Sequence, residues 1–262
     1  MTVRLELRGR VAILLLDRPP VNALDTATWL EFDTHLRELE QNTQVLAVVI
    51  ASVGAKVFSA GADIKEFGDF FEPGRGRAMA LRIHEVLNRL ESLAKVTIAG
   101  VEGAALGGGC ELLLACDLRV ASEGARFGFP EVGVGQFPGT GGTMRLPWLI
   151  GESRAKELLL TGRSMSADEA SRVGLVHRLV PVGAALEASL AWAHELSLLP
   201  GSGMAAVKES VSSGRGADLG ERARHDSELS EGVFRSPDAV EGYRAFLEKR
   251  TPVFSQPVVK ED

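Results

Sequence analysis

Two short apolar runs, Val45–Ala51 and Val96–Val101, constrain the fold of this chain more than any other feature. Neither run alternates polar with apolar residues, which is typical of parallel strands buried on both faces. Helical apolar stripes flank them over Asp25–Asn42 and Ala78–Ala94. The repeated order of strand, strand and helix predicts an α/β fold with more than one sheet layer, not a simple doubly wound sheet.

The remaining pattern divides the chain into a strand-bearing core at 1–198 and a helical region at 199–262. Further predicted strands are Val3–Leu7, Arg10–Leu16, Leu118–Ala121, Arg126–Phe129 and Leu175–Leu179, the first two paired through a turn at Arg8-Gly9. Further predicted helices are Gly107–Ala115, Thr143–Ile150, Ser153–Thr161, Ser166–Val173 with Ser166 as N-cap, Ala184–Leu198, Met204–Val211, Asp218–Glu231 and Pro237–Lys249. The glycine- and charge-bearing segment Phe70–Gly76 is predicted to be a mobile loop.

Composition disfavours several classes of function. The chain has 262 residues and a formal net charge of −6, so binding to nucleic acid is disfavoured. The apolar run Val11–Leu16 is too short for a membrane span or a signal-peptide core, so no membrane association is expected. Cys110 and Cys116 would lie roughly 9 Å apart along one helix, too far for a disulfide. A reducing compartment, the cytoplasm, is therefore predicted, and no Cys or His has zinc-ligand spacing.

Two glycine-bearing segments are candidates for anion binding. Gly108 lies in a run of three glycines where a strand gives way to a helix, so its backbone N–H is free to hold a developing oxyanion. Ala62 follows Gly61 in a similar setting after the first apolar strand. The alternatives are a glycine turn used only for packing and a turn in which Asp63 caps a helix.

Two carboxylates, Glu111 and Glu131, follow glycine-bearing segments and are candidates for acid–base chemistry. Their structural alternatives are stabilisation of a helix dipole by Glu111 and a solvated loop carboxylate at Glu131. The chain has no Walker-type phosphate loop, no complete dinucleotide fingerprint and no Gly-x-Ser-x-Gly elbow. His84 and His194 lie in predicted helices and are interpreted as structural.

An ordered set of motifs along essentially the whole chain resembles the crotonase superfamily, and within it the enoyl-CoA hydratases. The motifs are Leu16–Pro19, Asn22–Leu24, Phe58–Lys65, Gly103–Glu111, Cys116–Asp117, Phe127–Glu131, Pro138–Thr143, Ala167–Ala170, Gly174–Val176, Glu241–Gly242 and Phe246–Arg250. The resemblance implies a spiral of strand–strand–helix turns and a C-terminal helical region that builds homotrimers, often paired into hexamers. It also implies a coenzyme A thioester as substrate, with no separate cofactor and no metal.

The resemblance also implies roles for individual residues. The N–H groups of Ala62 and Gly108 would hold the thioester oxygen, Glu111 would deprotonate the attacking water, and Glu131 would protonate Cα. The segment containing Ala60, Asp63, Ile64 and Lys65 would bind the coenzyme, Gly139 would shape the wall near Glu131, and Phe67–Arg77 would line the acyl pocket. The presence of glutamate at both positions favours a hydratase of the fatty-acid β-oxidation type. Another crotonase reaction, such as a specialised dehydratase or an isomerase, and a non-catalytic RNA-binding role remain alternatives.

Two departures from the family pattern do not touch the predicted proton chemistry. Lys95-Val96 stands where relatives commonly have Lys-Pro, and Glu102-Gly103 where they have Asn-Gly. Glu102 is expected to alter the charge near the candidate oxyanion turn at 107–111.

Overall fold

The structure, a computed structural model, describes residues 1–54 and 56–254. Within those residues, ten strands form a six-stranded and a four-stranded sheet. The strands are β1 (Val3–Arg8), β2 (Val11–Leu16), β3 (Ala47–Ser52), β4 (Val57–Ser59), β5 (Val96–Val101), β6 (Ala104–Leu106), β7 (Leu118–Ser122), β8 (Arg126–Gly128), β9 (Ser164–Ser166) and β10 (Arg178–Val180). The part of the predicted C-terminal region at 255–262 lies outside the described residues.

Eleven α-helices are described in the same part of the chain. They are α1 (Thr26–Gln41), α2 (Phe67–Phe70), α3 (Arg75–Ser92), α4 (Gly108–Leu114), α5 (Gly142–Ile150), α6 (Glu152–Thr161), α7 (Ala167–Arg172), α8 (Ala185–Ser197), α9 (Gly201–Ser213), α10 (Leu219–Phe234) and α11 (Pro237–Glu248). Short 3₁₀ helices cover Ile64–Glu66 and Pro130–Val134. None of the helices in the described residues combines the length and apolar composition needed to cross a membrane.

From β3 to β8, successive strands alternate between the two sheets. The larger sheet has the order β1-β2-β3-β5-β7-β10 and the smaller sheet the order β4-β6-β8-β9. The pairs β3/β4, β5/β6 and β7/β8 therefore each place one strand in each sheet, and a helix follows each pair along the chain. This repeated strand–strand–helix turn confirms the predicted α/β fold with two sheet layers.

The strands of the larger sheet are buried on both faces, as their sequences predict. On β2, Leu14 and Leu16 pack into the main hydrophobic core, while Ile13 packs on the opposite face. That opposite face is covered by α8, whose Ala193 is fully buried. Burial of both faces explains why β2, β3 and β5 read as continuous apolar runs.

Helix boundaries follow the expected capping chemistry. The Asp25 side chain accepts a hydrogen bond from the N–H of Thr28 and begins α1. Ser166 likewise accepts from the N–H of Glu169, which confirms the predicted N-cap of α7.

Two predicted boundaries and one predicted apolar position differ from the structure. The predicted loop Phe70–Gly76 shrinks to four residues, 71–74, because α2 includes Phe70 and α3 begins at Arg75. Leu81, which is predicted to belong to the apolar stripe of the helix Ala78–Ala94, is 48% exposed because it lies two residues before Ile83, off the buried stripe of α3. The predicted strand at 175–179 begins only at Arg178, since the N–H groups of residues 175 and 176 bond back to the carbonyl of Ala170.

Candidate active site

A cavity of about 580 Å³ lies against α3 and gathers most of the predicted site residues. The predicted residues that line it are Ala60, Ala62, Ile64, Gly108, Glu111, Glu131 and Gly139. These residues span almost eighty positions of sequence and come from different turns of the spiral. A second hollow of about 120 Å³, between α9 and α10, contains none of the predicted site residues.

The two predicted oxyanion donors lie side by side. A Cβ atom built on Gly108 would lie 3.5 Å from the Ala62 nitrogen, and one built on Gly61 would lie 3.0 Å from the Gly108 nitrogen. Gly61 has a φ of +87°, which favours glycine, and this conformation brings the two chain segments together. The segment 60–63 and the start of α4 thus converge on one point of the cavity.

Both N–H groups are available to a ligand. Leu24 is bonded to the carbonyl of Gly61 and to the N–H of Asp63, so the N–H of Ala62 between them points away from Leu24. Gly108 is the first residue of α4, where an N–H has no partner within the helix. Neither group donates a hydrogen bond to any residue that the structure describes. The pair can therefore stabilise an oxygen that gains negative charge.

Glu111 lies in the first turn of α4, is 3% exposed, and is held by donors from one turn of chain. Its Oε1 accepts hydrogen bonds from the N–H groups of Thr140 and Gly142, both at 2.9 Å. Its Oε2 accepts a hydrogen bond from the Thr140 hydroxyl. These donors fix the direction of the carboxylate inside the cavity, in addition to any effect on the helix dipole.

Glu131 lies in the 3₁₀ helix that follows β8 and has a different environment. Its Oε2 is buried and has no hydrogen-bond partner among the described residues. Burial raises the pKa of Glu131 to about 7, and the nearby charge of Glu111 contributes in the same direction. A carboxyl with this pKa carries its proton at neutral pH for part of the time, which suits a general acid. The loop carboxylate is therefore half-buried, not fully solvated.

A glycine makes room for Glu131. A Cβ atom built on Gly107 would lie 2.7 Å from Oε1 of Glu131, and Gly107 has a φ of +50°. Any larger residue at position 107 would displace the carboxyl. The three-glycine run therefore has two functions. Gly107 leaves space for the Glu131 carboxyl, and Gly108 offers its N–H to an oxyanion.

Two predicted coenzyme-binding residues, Asp63 and Lys65, do not line the cavity. Asp63 is buried, accepts from the N–H of Lys65 at 3.1 Å, and binds the guanidinium of Arg18 at 2.6 Å. The hydrogen bond from Arg18 is the largest of the interactions that lower the pKa of Asp63. Because Arg18 also binds Asp25 at 2.9 Å, this side chain ties the segment that carries Ala62 to the start of α1.

Several residues near the cavity have roles that were not predicted from sequence. Thr140 and Gly142 hold Glu111, and the Nε2 atom of His84 lies 3.0 Å from the carbonyl oxygen of Gly139. The resemblance pointed only to a motif around position 140, with no partner for it. Glu102 accepts hydrogen bonds from the N–H groups of Gly183 and Ala185, so it caps α8, and its effect on the charge near the oxyanion turn stays a prediction.

The far side of the cavity is aromatic and apolar. Phe67, Phe70 and Phe71 line it together with Ile83 and Phe137, and Phe71 is 76% exposed. The predicted acyl segment at 67–77 therefore does border the cavity. Such a wall suits a hydrocarbon chain better than a polar one.

Comparison with known proteins places this geometry in a family. The family model described as enoyl-CoA hydratase/isomerase matches residues 6–257. The chain is 39% identical to the short-chain-enoyl-CoA hydratase of Clostridium acetobutylicum over 249 residues, covering 95% of each. It is 40% identical to a protein of Rhizobium meliloti named "Probable enoyl-CoA hydratase", covering 97% of each.

Solved structures agree with the sequence matches. A crystal structure described as an enoyl-CoA hydratase from Geobacillus kaustophilus HTA426 superposes with a TM-score of 0.93 at 33% identity, covering 97% of this chain and 96% of that one. The strand–strand–helix turns seen here are thus those of the crotonase fold. Its sequence and its fold together show that the chain belongs to the enoyl-CoA hydratase/isomerase family.

Proposed function

We propose that this protein is an enoyl-CoA hydratase that adds water reversibly to a trans-2-enoyl-CoA to give a 3-hydroxyacyl-CoA. The observation that carries the proposal is the placement of two unlike carboxyls, Glu111 and Glu131, in one cavity with two free N–H groups. One held carboxylate and one carboxyl that keeps a proton near neutral pH are what addition of H and OH across a double bond requires.

The proposed steps follow from the surroundings of each group. The N–H groups of Ala62 and Gly108 donate hydrogen bonds to the thioester oxygen as it gains enolate charge. Glu111 takes a proton from water as the water oxygen bonds to Cβ, and Glu131 gives its proton to Cα as the enolate collapses. The pair ends with its single proton on Glu111, so the reverse reaction starts from that state.

The proposed substrate is an acyl-CoA thioester whose coenzyme part binds near Ala60, Ile64 and Lys65. The reaction is redox-neutral, so it calls for no electron carrier, and coenzyme A enters as part of the substrate. A place in fatty-acid β-oxidation fits this chemistry. The two buried, free cysteines, Cys110 and Cys116, fit the reducing cytoplasm.

A homotrimer, alone or paired into a hexamer, is the proposed assembly. Large apolar side chains are exposed along the C-terminal helices, and an exposed apolar surface of this kind indicates a protein interface. They include Val207 at 66%, Val211 at 65%, Phe234 at 75%, Tyr243 at 66% and Phe246 at 81%. The division into a core at 1–198 and an assembly region at 199–262 belongs to the same proposal.

The proposal is tested by following loss of the enoyl-thioester absorbance with crotonyl-CoA and with longer trans-2-enoyl-CoA esters. We expect the wild type to form 3-hydroxyacyl-CoA, and Glu111→Gln and Glu131→Gln each to lose about 10²- to 10⁴-fold in kcat. Glu123→Gln, a change at an exposed glutamate on another part of the surface, is the matched control. Failure of the wild type to hydrate any of these esters would contradict the proposal, and a shifted double bond without a hydroxyl group would indicate an isomerase.

A further inference from the structure

The geometry points to His84 as a positioning residue for the base. From α3, His84 holds the turn at 139–142, and this turn supplies every hydrogen-bond donor described for Glu111. The inference rests on the proposed function for the role of Glu111, but its contacts stand without it.

The turn at 139–142 needs support from outside itself. It closes the connection at 135–141 between the 3₁₀ helix at Pro130–Val134 and α5, which begins at Gly142, and most of it has no regular secondary structure. Its central residue, Gly141, has a φ of +148°, in the region that favours glycine. Small backbone shifts here would move the donors of Thr140 and Gly142 away from Oε1 of Glu111.

His84 supplies that support at the start of the turn. Its Nε2 lies 3.0 Å from the carbonyl oxygen of Gly139, a residue 55 positions further along the chain. Since a carbonyl oxygen only accepts hydrogen bonds, Nε2 must carry the proton. His84 is half-buried, and it contacts neither glutamate through a described hydrogen bond, so it acts on the chemistry through the backbone.

Arg145 supplies a second connection to the same helix. Its side chain is 5% exposed, and it binds Glu91 at 2.9 Å and Asn88 at 2.7 Å, both on α3. Its Nη1 has no hydrogen-bond partner among the described residues and faces Gly141, where an added Cβ atom would lie 2.4 Å away. The first turn of α5 is thereby locked to α3, and His84 holds Gly139, three residues before α5 begins.

The consequence is a mechanical link between the acyl wall and the base. Helix α3 contributes Met79, Ala80 and Ile83 to the lining of the cavity, and His84 follows directly on the same helix. The position of α3 against the acyl chain therefore also sets the position of the hydrogen-bond donors of Glu111. A misplacement of about 1 Å in such a group can cost on the order of 10²-fold in rate.

The test compares His84→Leu, which removes the donor, with His84→Gln, whose side-chain amide can reach Gly139 in place of Nε2. We expect His84→Leu to lower kcat about 10- to 100-fold while KM changes less than about threefold, and His84→Gln to recover most of that loss. His194→Leu, at an exposed histidine in the last turn of α8, controls for loss of a helical histidine. Equal losses in the leucine and glutamine variants, or a change confined to KM, would contradict the positioning role.

Two further measurements separate positioning from general damage. If His84 acts through Glu111, His84→Leu should cause no additional loss of rate in the Glu111→Gln background. Amide hydrogen exchange at Thr140 and Gly142 should be faster in His84→Leu than in wild type, and unchanged in His194→Leu. The exchange result does not require hydratase activity, so unchanged exchange at these amides would overturn the inference even if the proposed reaction proved wrong.

Discussion

The surroundings of Glu111 and those of Glu131 differ in a way that burial alone does not explain. Glu111 is the more buried of the two, at 3% exposure, yet its carboxylate accepts hydrogen bonds from Thr140 and Gly142. Glu131 is only half-buried, yet its Oε2 has no partner among the described residues, and its pKa is raised to about 7. The two carboxyls therefore differ in their supply of hydrogen-bond donors as well as in their burial.

The difference arises from the elements that carry the two residues. Glu111 lies at the start of a regular helix and faces a turn that α3 and α5 hold in place. Glu131 lies in a 3₁₀ helix beside Gly107, where close packing leaves space for a carboxyl but provides no donor to its Oε2. Two carboxyls of similar sequence setting thus acquire different hydrogen-bonding surroundings, and burial raises the pKa of Glu131.

The largest expected effect separates the two roles by proton exchange. Incubation of a 3-hydroxyacyl-CoA in deuterated water should exchange the Cα proton through Glu131, even when elimination is blocked in Glu111→Gln. In Glu131→Gln we expect this exchange to fall about 10²- to 10⁴-fold, because the group that moves the Cα proton is gone. Exchange would be read by mass spectrometry of the recovered ester. Loss of exchange in Glu111→Gln but not in Glu131→Gln would reverse the assignment.

The next effect concerns the space that Glu131 occupies. Gly107→Ala should lower kcat about 10- to 100-fold, because the new methyl group would meet the Glu131 carboxyl and the φ of +50° would be strained. Gly133→Ala is the matched control, since nothing lies within 4 Å of a Cβ built there. Steady-state rates of the two variants test the point, and equal rates would show that the fit around Glu131 does not matter.

A smaller effect is expected at the other carboxylate. Thr140→Val keeps the shape of the side chain but removes the hydroxyl that binds Oε2 of Glu111, and a hydrogen bond to a charged group contributes about 1.5–3 kcal/mol. We expect kcat to fall about tenfold or more, with the two backbone donors keeping part of the orientation. Thr143→Val, at an exposed position of the same segment, controls for the substitution. A wild-type rate in Thr140→Val would show that the hydroxyl is dispensable.

The smallest effect is on stability. Since the pKa of Glu131 is raised from an ordinary 4.5 to about 7, the folded protein binds more protons than the unfolded chain between these values. The contribution of Glu131 to stability is therefore retained below pH 4.5 and lost as the pH rises through about 7. Allowing for its partial exposure, the loss is about 1–2 kcal/mol. Denaturant unfolding across this range should show the fall in wild type and a smaller one in Glu131→Gln, and parallel curves would contradict the raised pKa.

Much of the fold could be predicted because its strongest determinants are local. The apolar runs at β2, β3 and β5 and the stripe of α1 depend on residues within one segment. The strands β4 and β9 were missed because each has only three residues, which is too short for a periodic pattern of apolar residues to show. The start of β10 was wrongly predicted at Leu175, since the N–H of Leu175 turns back to Ala170 through a bond that composition does not reveal.

The residues of the candidate site could be predicted from the sequence, but their hydrogen-bond partners could not. Ala62, Gly108, Glu111 and Glu131 lie around one cavity, as the family resemblance implies. The partners of Glu111 come from a turn about thirty residues away, and their identity depends on how α3, α4 and α5 pack. Asp63 shows the same limit, because its pairing with Arg18 bridges 45 positions of sequence.

The most direct test of the central claim is a pH titration of the Glu131 carboxyl by ¹³C NMR in protein labelled at the glutamate carboxyl carbon. The signal is assigned by its absence in Glu131→Gln. The structure predicts a midpoint at about pH 7, because burial disfavours the charged form of this group. A midpoint near the ordinary glutamate value of about 4.3 would contradict the account, since Glu131 would then carry no proton to give at neutral pH.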